Sequence, residues 1–198
     1  MLSYQKGIVK TSVRHLVEFL LRTGSITTGS ALSANPEAML EGGRLHRKIQ
    51  RTQNATYQSE VPLKMEWQEE GYILVLEGRA DGIDRMNLEE ENVIYVDEIK
   101  CVYRNIEEIE EADFLHLAQA KCYAYMYGHK HGLEKIGIQI TYCHLETEEI
   151  KRIFSVYSME ELSLWFADLL DSYRMWASYY VAARKQRNES IKQLKFPF

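Results

Sequence analysis

The chain has 198 residues, 45% of them hydrophobic and 27% charged, which suits one soluble domain with a substantial core. Its net charge of −5 shows no overall basic signature of a nucleic-acid binder, yet nuclease sites are themselves acidic, so that class stays open. No apolar run approaches the ~20 residues of a membrane span, and the start, MLSYQKGIVK, lacks the apolar stretch of a secretory signal. The three cysteines (Cys101, Cys122, Cys143) match no metal-ligand spacing and cannot all pair, so a reduced, cytoplasmic protein without membrane contact is expected.

In chain order, Val13, Leu16, Val17, Leu20 and Leu21 form an apolar stripe at helical spacing, predicting a helix over 12–22 that Gly24 ends. Pro36 opens a second helix, which runs to about residue 53 and carries Gly42, Gly43 and His46. Three strands follow over 57–67, 72–84 and 93–103, with 87–92 as the polar turn between the second and third. A helix over 113–127 is expected to stop at Gly128, and two further strands lie over 135–145 and 149–157. Ser158 and Glu161 form a capping box for a long last helix that carries Leu162, Trp165, Phe166, Leu169, Tyr173 and Trp176. This order predicts a mixed α/β domain in which helices flank one sheet. The basic groups Arg44, Arg47, Lys48, Arg51 and Arg184, Lys185, Arg187, Lys192, Lys195 read first as solvated helix faces, and the acidic run over 107–113 as a helix start.

The chemistry gathers in VIYVDEIKCVY, which begins at Val93. As a strand it puts Ile94, Val96, Glu98 and Lys100 on one face, so a carboxylate and an ammonium end an otherwise apolar row. In YILVLEGRADGID the apolar run is broken at Gly78 and ends near Asp81. A turn centred between Glu89 and Glu90 would set Asp81 opposite Glu98, with Cβ atoms ~5 Å apart. Two carboxylates that close repel unless a cation neutralises them, and Mg²⁺ takes oxygen ligands of this kind. Such a site suits phosphodiester hydrolysis, with Lys100 holding the attacking water. In HLAQAKCYAYMYG, His116, Gln119 and Tyr123 share a helix face, and in GGRLH, His46 follows Gly42 by one turn. Each feature alone is weak: Glu-x-Lys recurs by chance, and a lone histidine is most often structural.

Together, Gly42-x-x-x-His46, Gly78-x-x-Asp81-Gly82, Asp97-Glu98-Ile99-Lys100 and Gln119-x-x-x-Tyr123 resemble the RecB-like branch of the PD-(D/E)XK nuclease superfamily. The resemblance implies a restriction-endonuclease-like mixed sheet flanked by helices, with a core over 36–157 and the helices over 12–23 and 158–190 packed on it. It also implies a Mg²⁺- or Mn²⁺-dependent deoxyribonuclease of DNA repair or recombination, exonucleolytic on single-stranded or end-containing DNA. By that resemblance His46, Asp81, Glu98 and the Ile99 carbonyl are metal ligands, and Lys100 is the catalytic lysine. Gln119 and Tyr123 support the site and contact the DNA backbone. Glu60 sits where some relatives carry an extra acid and reads as little more than a strand-edge charge. Three spread cysteines cannot supply the four-cysteine iron–sulfur cluster of several relatives, so none is expected. SVRHLVEFLLRTGSI and LKFPF resemble segments of bacterial helicases related to DinG and XPD, which implies a nuclease domain excised from a chain with a C-terminal helicase domain as partner. The rivals are a non-catalytic module that grips DNA or packs on a helicase, and a sugar- or nucleotide-processing metalloenzyme, for which no second nucleophile or phosphate loop is present.

Overall fold

The computed structural model describes residues 3–5, 7–23, 36–88 and 91–193. In chain order the elements are β1 (Ser3–Gln5), β2 (Ile8–Ser12), α1 (Val13–Leu21), α2 (Pro36–Arg51), β3 (Gln58–Glu69), β4 (Tyr72–Leu88), β5 (Glu91–Val102), α3 (Phe114–His131), β6 (Lys135–His144), β7 (Ile150–Ser158) and α4 (Met159–Gln193). The seven strands form one sheet in the order β1–β2–β4–β5–β6–β7, with β3 paired to β4 off that path. Pairing is mixed: β2 with β4 and β5 with β6 are parallel, and the other pairs are antiparallel. The fold is thus the expected α/β sheet flanked by helices, with a long C-terminal helix.

Local chemistry sets the element ends. The Ser12 hydroxyl accepts from the His15 N–H and starts α1. Ser158 and Glu161 make the reciprocal capping box at the start of α4. Asp113 caps α3 through the Leu115 and His116 N–H groups. The helix does not stop at Gly128, as the sequence predicts, but runs to Gly132, which takes the left-handed conformation at φ 63°. Gly128 instead lets Met159 pack against the α3 backbone, where a Cβ would collide with its sulfur. The turn placed over 87–92 is shorter, since the β4–β5 ladder extends to Leu88↔Glu91. The observed register, Gly82↔Asp97 to Leu88↔Glu91, is the one that the supposed turn would give. The sequence reading has no counterpart for β1 and β2. Only Val9 and Thr11 of β2 turn inward, too short an alternation to stand out ahead of a helix start.

The main core lies between the sheet and α1, α3 and α4, around Leu16, Leu74, Val96, Ile138, Phe166 and Tyr173. A smaller one lies under α2, made of Leu45, Ile49, Ile99, Cys143 and Leu145. Strand β5 is therefore covered on both faces, which is why its apolar run is nearly continuous. Among the described residues no helix is long and apolar enough to cross a membrane. The proposed helix stop at Gly24 and the LKFPF segment lie outside the described residues.

Candidate metal centre

Strand β4 carries more partners than its length suggests. Strand β3 occupies one edge of it from Tyr72 to Ile83, so β2 (at 73–77) and β5 (from residue 82) share the other edge. Among the described residues no strand pairs with 78–81 on that edge, and the sheet forks. Into the fork comes Tyr123 of α3, only 4% exposed. Its ring lies on Gly78, where a Cβ would sit 2.6 Å from Cε1. Its hydroxyl lies over the same glycine, where a Cβ would sit 2.8 Å from it. The fork also shifts the pleat. Leu74, Leu76 and Ala80 face the main core at even positions, but beyond Asp81 it is Ile83 that does so. Opposite Asp81 the β3 register skips Glu60, which adopts φ 57°, rare for a residue with a side chain.

The carboxylates meet at this break. The last β4–β5 rung is Gly82↔Asp97. One residue further, Asp81 Oδ2 accepts from the Ile99 N–H at 2.7 Å, so a side chain continues what the ladder no longer does. Asp81 Oδ1 lies 3.1 Å from His46 Nε2, delivered by α2. Glu98 is buried, with Oε1 2.7 Å from the Lys100 ammonium and Oε2 without a hydrogen-bond partner among the described residues. Lys100 also donates to Gln119 Oε1 at 3.2 Å. From α2, Gln50 Nε2 donates to Glu60 Oε1 at 2.9 Å and to the Asp81 carbonyl at 2.8 Å. Arg79 holds the other Glu60 oxygen at 3.1 Å.

The electrostatics follow from that crowding. Burial first, and the Asp81 charge second, push the Glu98 carboxyl up to about 8 against the pull of Lys100. His46 is raised by its hydrogen bond to Asp81, with Glu60 and Glu98 adding to the pull and burial opposing it. Single ligand atoms of His46, Glu60 and Asp81 lie within 4.8 Å of one another. This set of one imidazole and two carboxylates fits Mg²⁺ or Mn²⁺; Glu98 is not among the ligand atoms that lie this close, and its unpartnered oxygen stands next to the set.

Of the residues singled out from sequence, His46, Asp81, Glu98, Lys100, Gln119 and Tyr123 come together. Ile99 joins through its N–H, and its side chain belongs to the core under α2. His116 does not join. Its ring bonds the Tyr142 hydroxyl at 3.1 Å, and burial lowers it to about 4. Tyr123 is buried and packs on Gly78. Glu60 is more than a strand-edge charge, since it faces His46. The sequence holds the signal for this: a turn centred between Glu70 and Gly71 sets Glu60 opposite Asp81. Gln50 and Arg79 were missed, being ordinary polar residues until the fork is known. A cleft of about 480 Å³ lined by Ser12, Pro62, Lys64, Gly78 and Arg79 opens beside the fork rather than on the carboxylates. Of the basic group on α2, Arg44 and Lys48 are paired to Glu148.

No protein-family model matches the chain, and no curated protein matches it. Among solved structures the chain is similar to the crystal structure of SSO0001, at 19% identity and a TM-score of 0.55, over 88% of this chain and 78% of that one. At that identity the likeness is one of fold.

Proposed function

We propose that the chain is a metal-dependent deoxyribonuclease of the RecB-like PD-(D/E)XK kind, hydrolysing phosphodiester bonds at DNA ends or in single strands during repair or recombination. Glu98 carries the reading. A buried carboxylate with an unpartnered oxygen, set beside Asp81 at a break in the sheet, costs stability and has no packing purpose. His46, Asp81 and Glu98, with Glu60 within reach, would hold the cation. When bound, Mg²⁺ or Mn²⁺ would neutralise the carboxylates, acidify a water and stabilise charge on the phosphoryl oxygens.

The chain's own groups supply the rest. Asp81 is kept in place by the Ile99 N–H and by Gln50 on its carbonyl. Lys100 would orient the attacking water and donate to the phosphoryl oxygen. Gln119 accepts from that ammonium, and Tyr123, one helical turn further on, packs on Gly78 at the open edge of β4. The test is incubation with end-labelled single- and double-stranded DNA in Mg²⁺ or Mn²⁺. Cleavage by the wild type and none by Asp81→Asn is expected. DNA binding without cleavage in either metal would replace this reading with the non-catalytic module.

A further inference from the structure

Resting on the metal-centre reading, we propose that Asp97 is a positioning residue: with Tyr57 and Thr141 it forms a clamp on the reverse face of β5 that holds Glu98 at the fork against Asp81. Asp97 is 1% exposed and points away from the metal ligands. The Tyr57 hydroxyl donates to its Oδ2 at 3.0 Å, and the Thr141 hydroxyl to its Oδ1 at 2.6 Å. Gln139 supports Thr141 with a further hydrogen bond at 2.9 Å. The clamp thus ties β5 to β6 and to the residue that leads into β3.

Its position gives it a function beyond filling space. Asp97↔Gly82 is the last rung before β4 and β5 part, and the like charges of Asp81 and Glu98 begin one residue later. Beyond that rung no β4–β5 ladder bond resists their repulsion. Tyr57 reaches Asp97 only by crossing Gly82, where any Cβ would collide with its hydroxyl. The glycine after Asp81 is therefore required on the reverse face, for the clamp. Packing alone would be served by an apolar residue at 97. A buried carboxylate taking donors from two elements fixes the height and tilt of the strand instead.

Tyr57→Phe and Thr141→Val each remove one donor without changing charge, and Thr141→Ser restores the hydroxyl. Two quantities are measured on the full chain at one fixed, mildly alkaline pH. One is Mn²⁺ affinity by calorimetry. The other is the metal-free Tm, read in the wild-type and Glu98→Gln backgrounds. The donor-less variants should bind Mn²⁺ about tenfold more weakly, and Thr141→Ser as wild type does. Their Tm loss should fall by about half in the Glu98→Gln background, because the clamp then has less repulsion to resist. Should Thr141→Val not fold, the half-buried Tyr57→Phe carries the same comparison. A Tm loss undiminished by Glu98→Gln overturns the clamp, and so does an unchanged Kd in a protein that binds Mn²⁺ through Glu98. A wild type that binds no Mn²⁺ sensitive to Glu98→Gln would sink the metal-centre reading instead. The clamp is then judged by the Tm comparison alone, in which a halved loss supports it.

Discussion

Replacing Glu98 by Gln should stabilise the metal-free protein at high pH. The side chain is fully buried, one oxygen lacks a partner, and its carboxyl is pushed up to about 8 from 4.5. Between those values the native state holds a proton that the unfolded chain releases. Stability from this group is therefore full below about pH 4.5 and is lost as pH rises toward 8, by up to ~1.4 kcal/mol per unit. Over the window the ceiling is roughly 4–5 kcal/mol. A glutamine keeps the acceptor for Lys100 and never charges, so it escapes that loss. For a chain of this size, each kcal/mol shifts Tm by about 2–4 °C. Thermal melts of both proteins in chelator, from mildly acidic to alkaline pH, should show the Glu98→Gln advantage growing with pH, and groups common to both largely cancel in the difference. Saturating Mn²⁺ should reverse the order, because the wild type gains a bound cation and the variant does not. A variant less stable than wild type by the same margin at every pH would refute the reasoning and leave Glu98 an ordinary hydrogen-bonded core residue.

Lys100→Ala should slow single-turnover DNA cleavage by about 10²-fold or more with metal and DNA saturating, while Mn²⁺ affinity changes little; cleavage at the wild-type rate would assign Lys100 to a salt bridge. Gly78→Ala drives a methyl into the Tyr123 ring and should cost about 1–3 kcal/mol in a denaturant melt; Gly78→Ala in a Tyr123→Ala background should lose most of that penalty. Because His46 is raised by Asp81 and must be neutral to ligate, Mn²⁺ affinity should rise with pH through its titration, and His46→Ala should flatten that part of the calorimetric profile.

Much of this was legible from residue pattern. The apolar spacing placed most of the elements after β2, and a turn centred on residues 89 and 90 gave the β4–β5 register that brings Asp81 to Glu98. What escaped depends on partners distant in sequence. Strand β2 buries only two residues, yet by occupying the β4 edge up to residue 77 it defines where the fork opens. Gly128 and Gly132 both suit a helix stop, and only the approach of Met159 from α4 decides between them. Asp97 sits beside Glu98 in VDEIK, but its opposite facing gains meaning only from Tyr57 and Thr141, 40 and 44 residues away. Glu60 was underrated for a similar reason, since its nearness to His46 needs both the β3 register and the docking of α2.

The central claim is that His46, Asp81 and Glu98 form one cation site, and a crystal soaked in Mn²⁺ and measured for anomalous scattering tests it most directly. The account predicts a peak within about 2.0–2.6 Å of His46 Nε2 and of oxygens from Asp81 and Glu98, with the orphaned Glu98 Oε2 now ligated. A crystal saturated with Mn²⁺ that shows no peak at the fork, and Glu98 Oε2 still unpartnered, would contradict it.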